Sequence, residues 1–294
     1  MLPQQGGDYD LQREATILEN LVHRHIVELA GTYTQDGTLY ILIFPVAECN
    51  LSQMLQRPEA QQSTSWERNL TTAFGCLASA LAFIHSKDVA IKHKDIKPAN
   101  ILFCGDIDLL ADWGLSNSFK SEATSRSRGW TYWTPAYAAP EVRARDERGT
   151  AQDIFSLSLV YVEMLAAFCR VLIWDQTFIG ESRTTAHHGI DMMPKHYAFL
   201  AQGPVPANVP QVRDITTLVQ SSPHYEAQDG KDVPGRTFYW EARSPTLFEI
   251  MLAKLPADRP TAHQVWHFMK APNCFSSPCD GCLHDETRRE AIEA

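Results

Sequence analysis

His93-Lys94-Asp95-Ile96-Lys97-Pro98-Ala99-Asn100-Ile101-Leu102, followed twelve residues after Asn100 by Asp112-Trp113-Gly114, is the stretch on which the reading of this chain turns. Two carboxylates, an amide and a lysine sit there on loop-like sequence around short β-prone runs. The set suits metal-assisted phosphoryl transfer. Asp112 and Asn100 offer hard oxygen ligands to Mg²⁺, Lys97 can neutralise a transferring phosphoryl group, and Asp95 can orient a hydroxyl nucleophile. A string of the form His-[Arg/Lys]-Asp-x-Lys-x-x-Asn arises by chance in roughly one chain of this size in ten thousand. A random surface loop is therefore a poor account of it.

Further along come Thr134-Pro135-Ala136-Tyr137-Ala138-Ala139-Pro140-Glu141, Asp153-Ile154-Phe155-Ser156-Leu157 and Asp258-Arg259-Pro260. With these landmarks in order, the chain resembles the eukaryotic protein kinases, whose catalytic loop and metal-binding turn read H-R-D-L-x-x-x-N and D-F-G. The resemblance implies an α+β, bilobal fold: a β-rich small lobe, truncated here, on a mostly α-helical large lobe. It implies ATP and Mg²⁺ as cofactors and a protein hydroxyl as substrate. Asp95, Lys97 and Thr134 would serve the transfer, and Asn100 with Asp112 would hold the metal. Glu141 and Arg259 would form a buried ion pair anchoring the activation segment, and Asp153 would hold the catalytic-loop backbone. A lysine two residues after Asp95, and Thr134 seven before Glu141, resemble the serine/threonine branch.

Upstream, His25 to Leu29 and Leu39 to Val46 resemble the fourth and fifth small-lobe strands and the hinge. By that likeness Ile43 is the gatekeeper, backbone groups from Phe44 to Val46 face adenine and Leu102 lies beneath it as an apolar floor, although each of these apolar residues also suits a plain core position. Glu14 resembles the glutamate of helix αC, against the alternative of a solvated helix-face carboxylate. Leu18, Leu29, His93 and Trp113 would complete an apolar spine.

Periodicity places these motifs. Tyr9 to Leu21 has helical spacing around Leu11, Ala15, Leu18 and Leu21 or Val22. Gln35-Asp36-Gly37 supplies a turn between two β-rich runs, Ile26 to Leu29 and Leu39 to Phe44, which read as an antiparallel pair. Leu70, Phe74, Leu77, Leu81 and Ile84 mark a buried-face helix begun by Ser65 as N-cap. After Ile101 to Cys104 the chain reads as loop. Phe155 to Phe168 is apolar nearly all round, as a central helix is, and Thr246 to Leu255 and Thr261 to Met269 read as helices. The expected units are an incomplete small lobe at 1–46, a large lobe at 47–271 with an insertion at about 177–240, and a polar cysteine-containing tail at 272–294.

The pattern breaks at the front. Nothing resembles the glycine-rich loop or the strand lysine that clamp nucleotide phosphates in kinases. Nine lysines are present and none precedes Lys87, so Glu14 has no small-lobe lysine to pair with. The remaining small-lobe strands are expected to lack partners and expose an edge. Either the coding sequence continues upstream of Met1, which the intact large-lobe set favours, or the chain is a pseudokinase that binds proteins through its large lobe and insertion. Lys94 stands where kinases usually have arginine and cannot make the same bidentate contact to a phosphorylated residue; Ser125, Ser127 and Thr131 are where such a residue would be, or merely part of an exposed loop. The indole N–H of Trp113 needs a partner.

Composition bounds the rest. The 294 residues are 44% hydrophobic and 21% charged, with a net charge of −9, which disfavours nucleic acid as partner. No run reaches a membrane span, and the expected compartment is the cytoplasm, with the nucleus left open. Cys49, Cys76, Cys104 and Cys169 read as reduced, packed thiols. In the tail, Cys279-Asp280-Gly281-Cys282 has zinc-knuckle spacing, but with Cys274 and His284 it matches no familiar four-ligand framework; free or lipid-modified thiols are the alternative. His187, His188 and His196 read as metal ligands or as scattered surface histidines.

Overall fold

The computed structural model describes residues 7–56, 64–119, 133–177, 244–271 and 278–284. Helix α1 (Gly7–Leu18) buries Ala15, Ile17 and Leu18. Strands β1 (Glu28–Gln35) and β2 (Thr38–Phe44) pair antiparallel, Gln35 opposite Thr38, around a turn in which Asp36 and Gly37 both take positive φ. Asp and Gly suit such a turn because they tolerate that region. The first strand starts at Glu28 rather than Ile26. Ile26 instead forms a parallel bridge with Leu110, flanked by Val27 N–H to Leu110 O (3.1 Å) and Leu110 N–H to His25 O (2.9 Å). Among the described residues, β1 and β2 form a sheet of their own. One side stays open, with Leu42 49% and Phe44 57% exposed.

Next come β3 (Cys49–Asn50), α2 (Leu51–Gln56), α3 (Thr64–His85), β4 (Ile91–Lys92), β5 (Ile101–Cys104), β6 (Ile107–Leu110) and β7 (Asn117–Ser118). Trp66, Leu70, Phe74, Leu77, Leu81 and Ile84 are buried on α3, each such side chain contributing about 1.5–3 kcal/mol by leaving water. The segment after Cys104 is not a loop, as its sequence suggested. Gly105, at φ 62°, turns the chain into β6, which completes the order β3-β5-β6. Asp108 hid this strand by putting a charge inside a four-residue apolar run.

Helix α4 (Pro140–Ala144) precedes α5 (Ala151–Thr177), and α6 (Ser244–Met251) and α7 (Ala262–Met269) follow. The helix expected to run from Thr246 to Leu255 ends at Met251, where the chain passes into a 3₁₀ turn at Pro256–Asp258. Thr261 caps α7 through a reciprocal pair with Gln264: Gln264 N–H donates to Thr261 Oγ1 (3.3 Å) and Thr261 N–H to Gln264 Oε1 (2.8 Å). Helix α3 packs on α7 and β6. Phe74, Tyr161 and Phe248 join α3, α5 and α6, with the Phe74 and Tyr161 ring centroids 4.9 Å apart and Tyr161 and Phe248 5.7 Å apart. The fold is α+β, with its main core around α3 and α5. Beyond Thr177, the expected insertion lies outside the described residues, as do its histidines, Cys274, Ser125, Ser127 and Thr131.

Candidate active site

The turn from β4 to β5 carries the quoted stretch, and its backbone is fastened from beneath. Asp153, fully buried in the first turn of α5, accepts the N–H groups of His93 (2.9 Å) and Lys94 (2.8 Å) and a bond from His85 Nε2 (2.9 Å). Burial opposes its charge, but the His85 hydrogen bond, the nearby imidazoles and the Lys94 N–H together hold its pKa below the usual carboxylate value. His93 is also fully buried, and desolvation lowers its pKa, so it is neutral. Its Nε2–H points at Ala111 O (3.1 Å) while Nδ1 accepts from Asp95 N–H (3.3 Å). One ring thus locks the catalytic-loop candidate to the strand end that precedes Asp112.

Asp95 is buried and its carboxylate is shared by three donors. Lys97 Nζ lies 2.6 Å from Oδ2, Thr134 Oγ1–H donates to Oδ1 at 2.7 Å, and Asn100 Nδ2 reaches Oδ2 at 3.1 Å. Lys97 also contacts Thr134 Oγ1 (3.2 Å), so Asp95, Lys97, Asn100 and Thr134 form one network. Trp133, Thr134, Tyr137 and Ser156 line a depression in front of Asp95.

Asn100 spends its amide nitrogen on Asp95 O (2.9 Å) and Oδ2, leaving the amide oxygen for a cation. Ala111 N–H donates to Asn100 O (2.9 Å), which sets the exposed Asp112, at φ 65°, beside it. Two hard oxygen donors at this place fit Mg²⁺. Glu14 reaches the same turn. Its Oε1 accepts Trp113 N–H (3.1 Å), and a Cβ on Gly114 would lie 3.4 Å from its other oxygen and 3.6 Å from Asp112 Oδ1. Burial raises the Glu14 pKa, the Trp113 N–H lowers it, and the Asp112 charge adds to the rise. Glu14 therefore faces a second carboxylate with a backbone N–H as its partner, an arrangement a cation would relieve.

Trp113 is fully buried against His93, ring centroids 4.7 Å apart. The partner expected for its indole N–H is absent among the described residues, so the larger ring costs a buried, unbonded donor. Leu18 is buried in the same core and Leu29 packs against it. Of the nucleotide-site candidates, the gatekeeper Ile43 and the hinge residues Phe44 and Val46 are exposed, Val46 to 83%, and Leu102 is half-buried. Burial, with the charges of Lys92 and Arg13, lowers Lys94 to about 8.

Glu141 and Arg259 meet in a bidentate pair, Nη1 to Oε1 at 2.7 Å and Nη2 to Oε2 at 2.8 Å, with both residues buried. Sequence reasoning missed His85 beneath Asp153. It also missed the bond from Tyr137 to Glu163 (2.6 Å) and that from Ser156 Oγ to Tyr137 O (2.9 Å), which set the wall of the depression. No local pattern announces them, because each pairs residues at least 19 positions apart.

Comparison with known proteins now bears on this geometry. A family model described as protein kinase domain matches residues 3–269. A probable serine/threonine-protein kinase PBL9 of Arabidopsis thaliana is 31% identical over 166 residues, covering 54% of this chain and 39% of that protein. Receptor-like cytoplasmic kinase 176 of Oryza sativa subsp. japonica is 29% identical over 197 residues, 64% of this chain and 47% of that one. Calcium/calmodulin-dependent protein kinase type 1 of Caenorhabditis elegans is 27% identical over 167 residues, covering 55% and 45%. The chain spans less than half the length of these relatives.

Proposed function

We propose, from the premise that this chain belongs to the protein kinase domain family, that it transfers the γ-phosphoryl group of ATP to serine or threonine hydroxyls of proteins. The carrying observation is the Asp95 carboxylate, held by Lys97, Thr134 and Asn100 at the edge of an open depression. In this reading Asp95 orients the acceptor hydroxyl and takes its proton. Lys97, already between Asp95 and Thr134, offsets charge on the transferring group. Asn100 Oδ1 and the Asp112 carboxylate hold Mg²⁺, which when bound neutralises phosphate charge. Ile43, Phe44, Val46 and Leu102 contact the adenine. Glu141, Arg259, Asp153, His93 and Glu14 keep these groups in place.

The unit at 1–46 acts as the small lobe and that at 47–271 as the large lobe, with the substrate protein docking beside Thr134. The relatives' names favour an enzyme over the scaffold alternative. No helix among the described residues is long and apolar enough to cross a membrane, and the working compartment in this reading is the cytoplasm. Mg·ATP at millimolar concentration is expected to raise the melting temperature, and labelled phosphate is expected to pass to a protein acceptor. Asp112→Asn is expected to abolish both. Equal labelling by variant and parent would sink the assignment, and no thermal shift in the parent would return the scaffold reading.

A further inference from the structure

Cys279 and Cys282 find their neighbours far back in the chain. They meet Cys76, on the buried side of α3, and His25, in the segment between α1 and β1. One ligand atom from each of His25, Cys76, Cys279 and Cys282 lies within 4.8 Å of all the others. We propose that these four residues are a structural zinc site that fastens residues 278–284 onto α3 and the α1–β1 segment.

The spacing fits a tetrahedron. With Zn–S of about 2.3 Å and Zn–N of about 2.0 Å, ligand atoms stand about 3.5–3.8 Å apart. Cys76 Sγ and Cys282 Sγ are 3.9 Å apart, and His25 Nε2 is 3.2 Å from Cys279 Sγ. The sulfurs are too far apart for a disulfide, whose bond is about 2.05 Å, and all three thiols are free. Three sulfurs and an imidazole select zinc over Mg²⁺ or Ca²⁺, which prefer oxygen. Four protein ligands leave no open position, as in structural rather than catalytic sites. His25, Cys76 and Cys282 are at most 2% exposed, so water is nearly excluded.

The surroundings are those of a metal ligand set. His25 Nδ1 is 2.7 Å from Asp108 O and 3.2 Å from the Asp108 carboxylate, which fixes the proton on that nitrogen and leaves the Nε2 lone pair facing the sulfurs. Such a carboxylate behind a histidine orients the ring and strengthens it as a donor. Asp108 itself is 1% exposed, with His25 Nδ1 facing its Oδ1 at 3.2 Å. The tail is shaped to deliver its ligands. Cys282 N–H and Leu283 N–H both fold back to Cys279 O (3.0 and 3.3 Å), and Cys279 N–H donates to Cys76 Sγ at 3.4 Å. A Cβ at position 281 would come within 2.7 Å of Arg24 Cδ, so glycine there lets the turn lie flush against the neighbour of His25.

The test uses the full chain purified from zinc-supplemented culture and dialysed against metal-free buffer. Elemental analysis is expected to find one zinc per chain. Cobalt exchanged for it should give the visible absorption of a tetrahedral thiolate complex. Cys279→Ser, at the half-buried edge of the cluster, should lose both signals, whereas Cys104→Ser on β5 should keep them. A strong chelator should lower the melting temperature of the parent and of Cys104→Ser, with zinc restoring it, and leave Cys279→Ser unchanged. Three results would overturn the site: a parent without zinc or the cobalt spectrum, equal metal loss in Cys104→Ser and Cys279→Ser, or a mass deficit of two hydrogens placing a disulfide between Cys76 and Cys282. None of these measurements reads phosphoryl transfer, so the zinc site and the kinase reading stand or fall separately.

Discussion

The turn from His93 to Asn100 and the strand pair β1–β2 are built in opposite ways. In the turn, local bonds are reinforced by distant elements: α5 supplies Asp153, the end of α3 supplies His85, and the segment before α4 supplies Thr134. The strand pair has its own ladder and little beyond it, with Leu42 and Phe44 open on one side. The chemistry-bearing loop is thus over-determined, while the neighbouring strands are held by α1 and a single bridge at Ile26. A loop fixed at several points keeps its geometry without a covering lobe, whereas the strands have no such reserve.

The contrast can be broken most severely at its anchor. Arg259→Leu strips Glu141 of its bidentate partner while leaving that carboxylate buried, and the expected loss is about 3–5 kcal/mol in denaturant unfolding. Asp153→Ala should follow, at about 2–4 kcal/mol, because it leaves the buried His93 and Lys94 N–H groups without an acceptor. Loss of phosphate transfer is expected to accompany both.

Glu163 tests the wall of the depression through pH. Burial raises its pKa from 4.5 to about 7, against the lowering effect of the Tyr137 hydroxyl. The folded chain therefore holds a proton that the unfolded chain has released, and stability should fall as pH rises from 4.5 through about 7. Glu163→Gln keeps an acceptor for Tyr137 and removes the ionisation. It should gain up to about 3 kcal/mol over the parent at pH 8 and nothing at pH 4, as thermal melts at the two pH values would show. An equal gain at both would refute the ionisation argument. The smallest effect is expected in the strands, where Leu42→Thr on the open side should change stability by no more than about 0.5 kcal/mol. A loss of several kcal/mol there would mean that the face is covered.

What the sequence disclosed follows from where the information lay. Residues 93–102 were readable because the groups that act together are neighbours in the chain, and α3 was readable because one face of a long helix repeats its apolar residues. Strand β6 was missed because Asp108 broke the apolar run that should have marked it. His85, Glu163 and Ser156 act through partners on other elements and leave no trace in spacing. The cluster of His25 and Cys76 with the tail cysteines was out of reach for the same reason, its members standing 203 and 254 positions apart. Its two tail residues looked like half of a framework because the other half lies on a helix and a loop.

The meeting of α5 and α6 has a consequence for how this chain could be cut. Ser158 Oγ–H donates to Phe248 O at 3.1 Å, and Phe248 is buried against Tyr161, so the elements on either side of residues 178–243 are bound to each other directly. Arg259 and Glu141 rivet the same two portions a second time. The portions of the chain before and after residues 178–243 are therefore fastened to each other by contacts of their own. The two pieces made by a protease nick there would be expected to stay together as one particle, and two separately expressed fragments divided there to find each other.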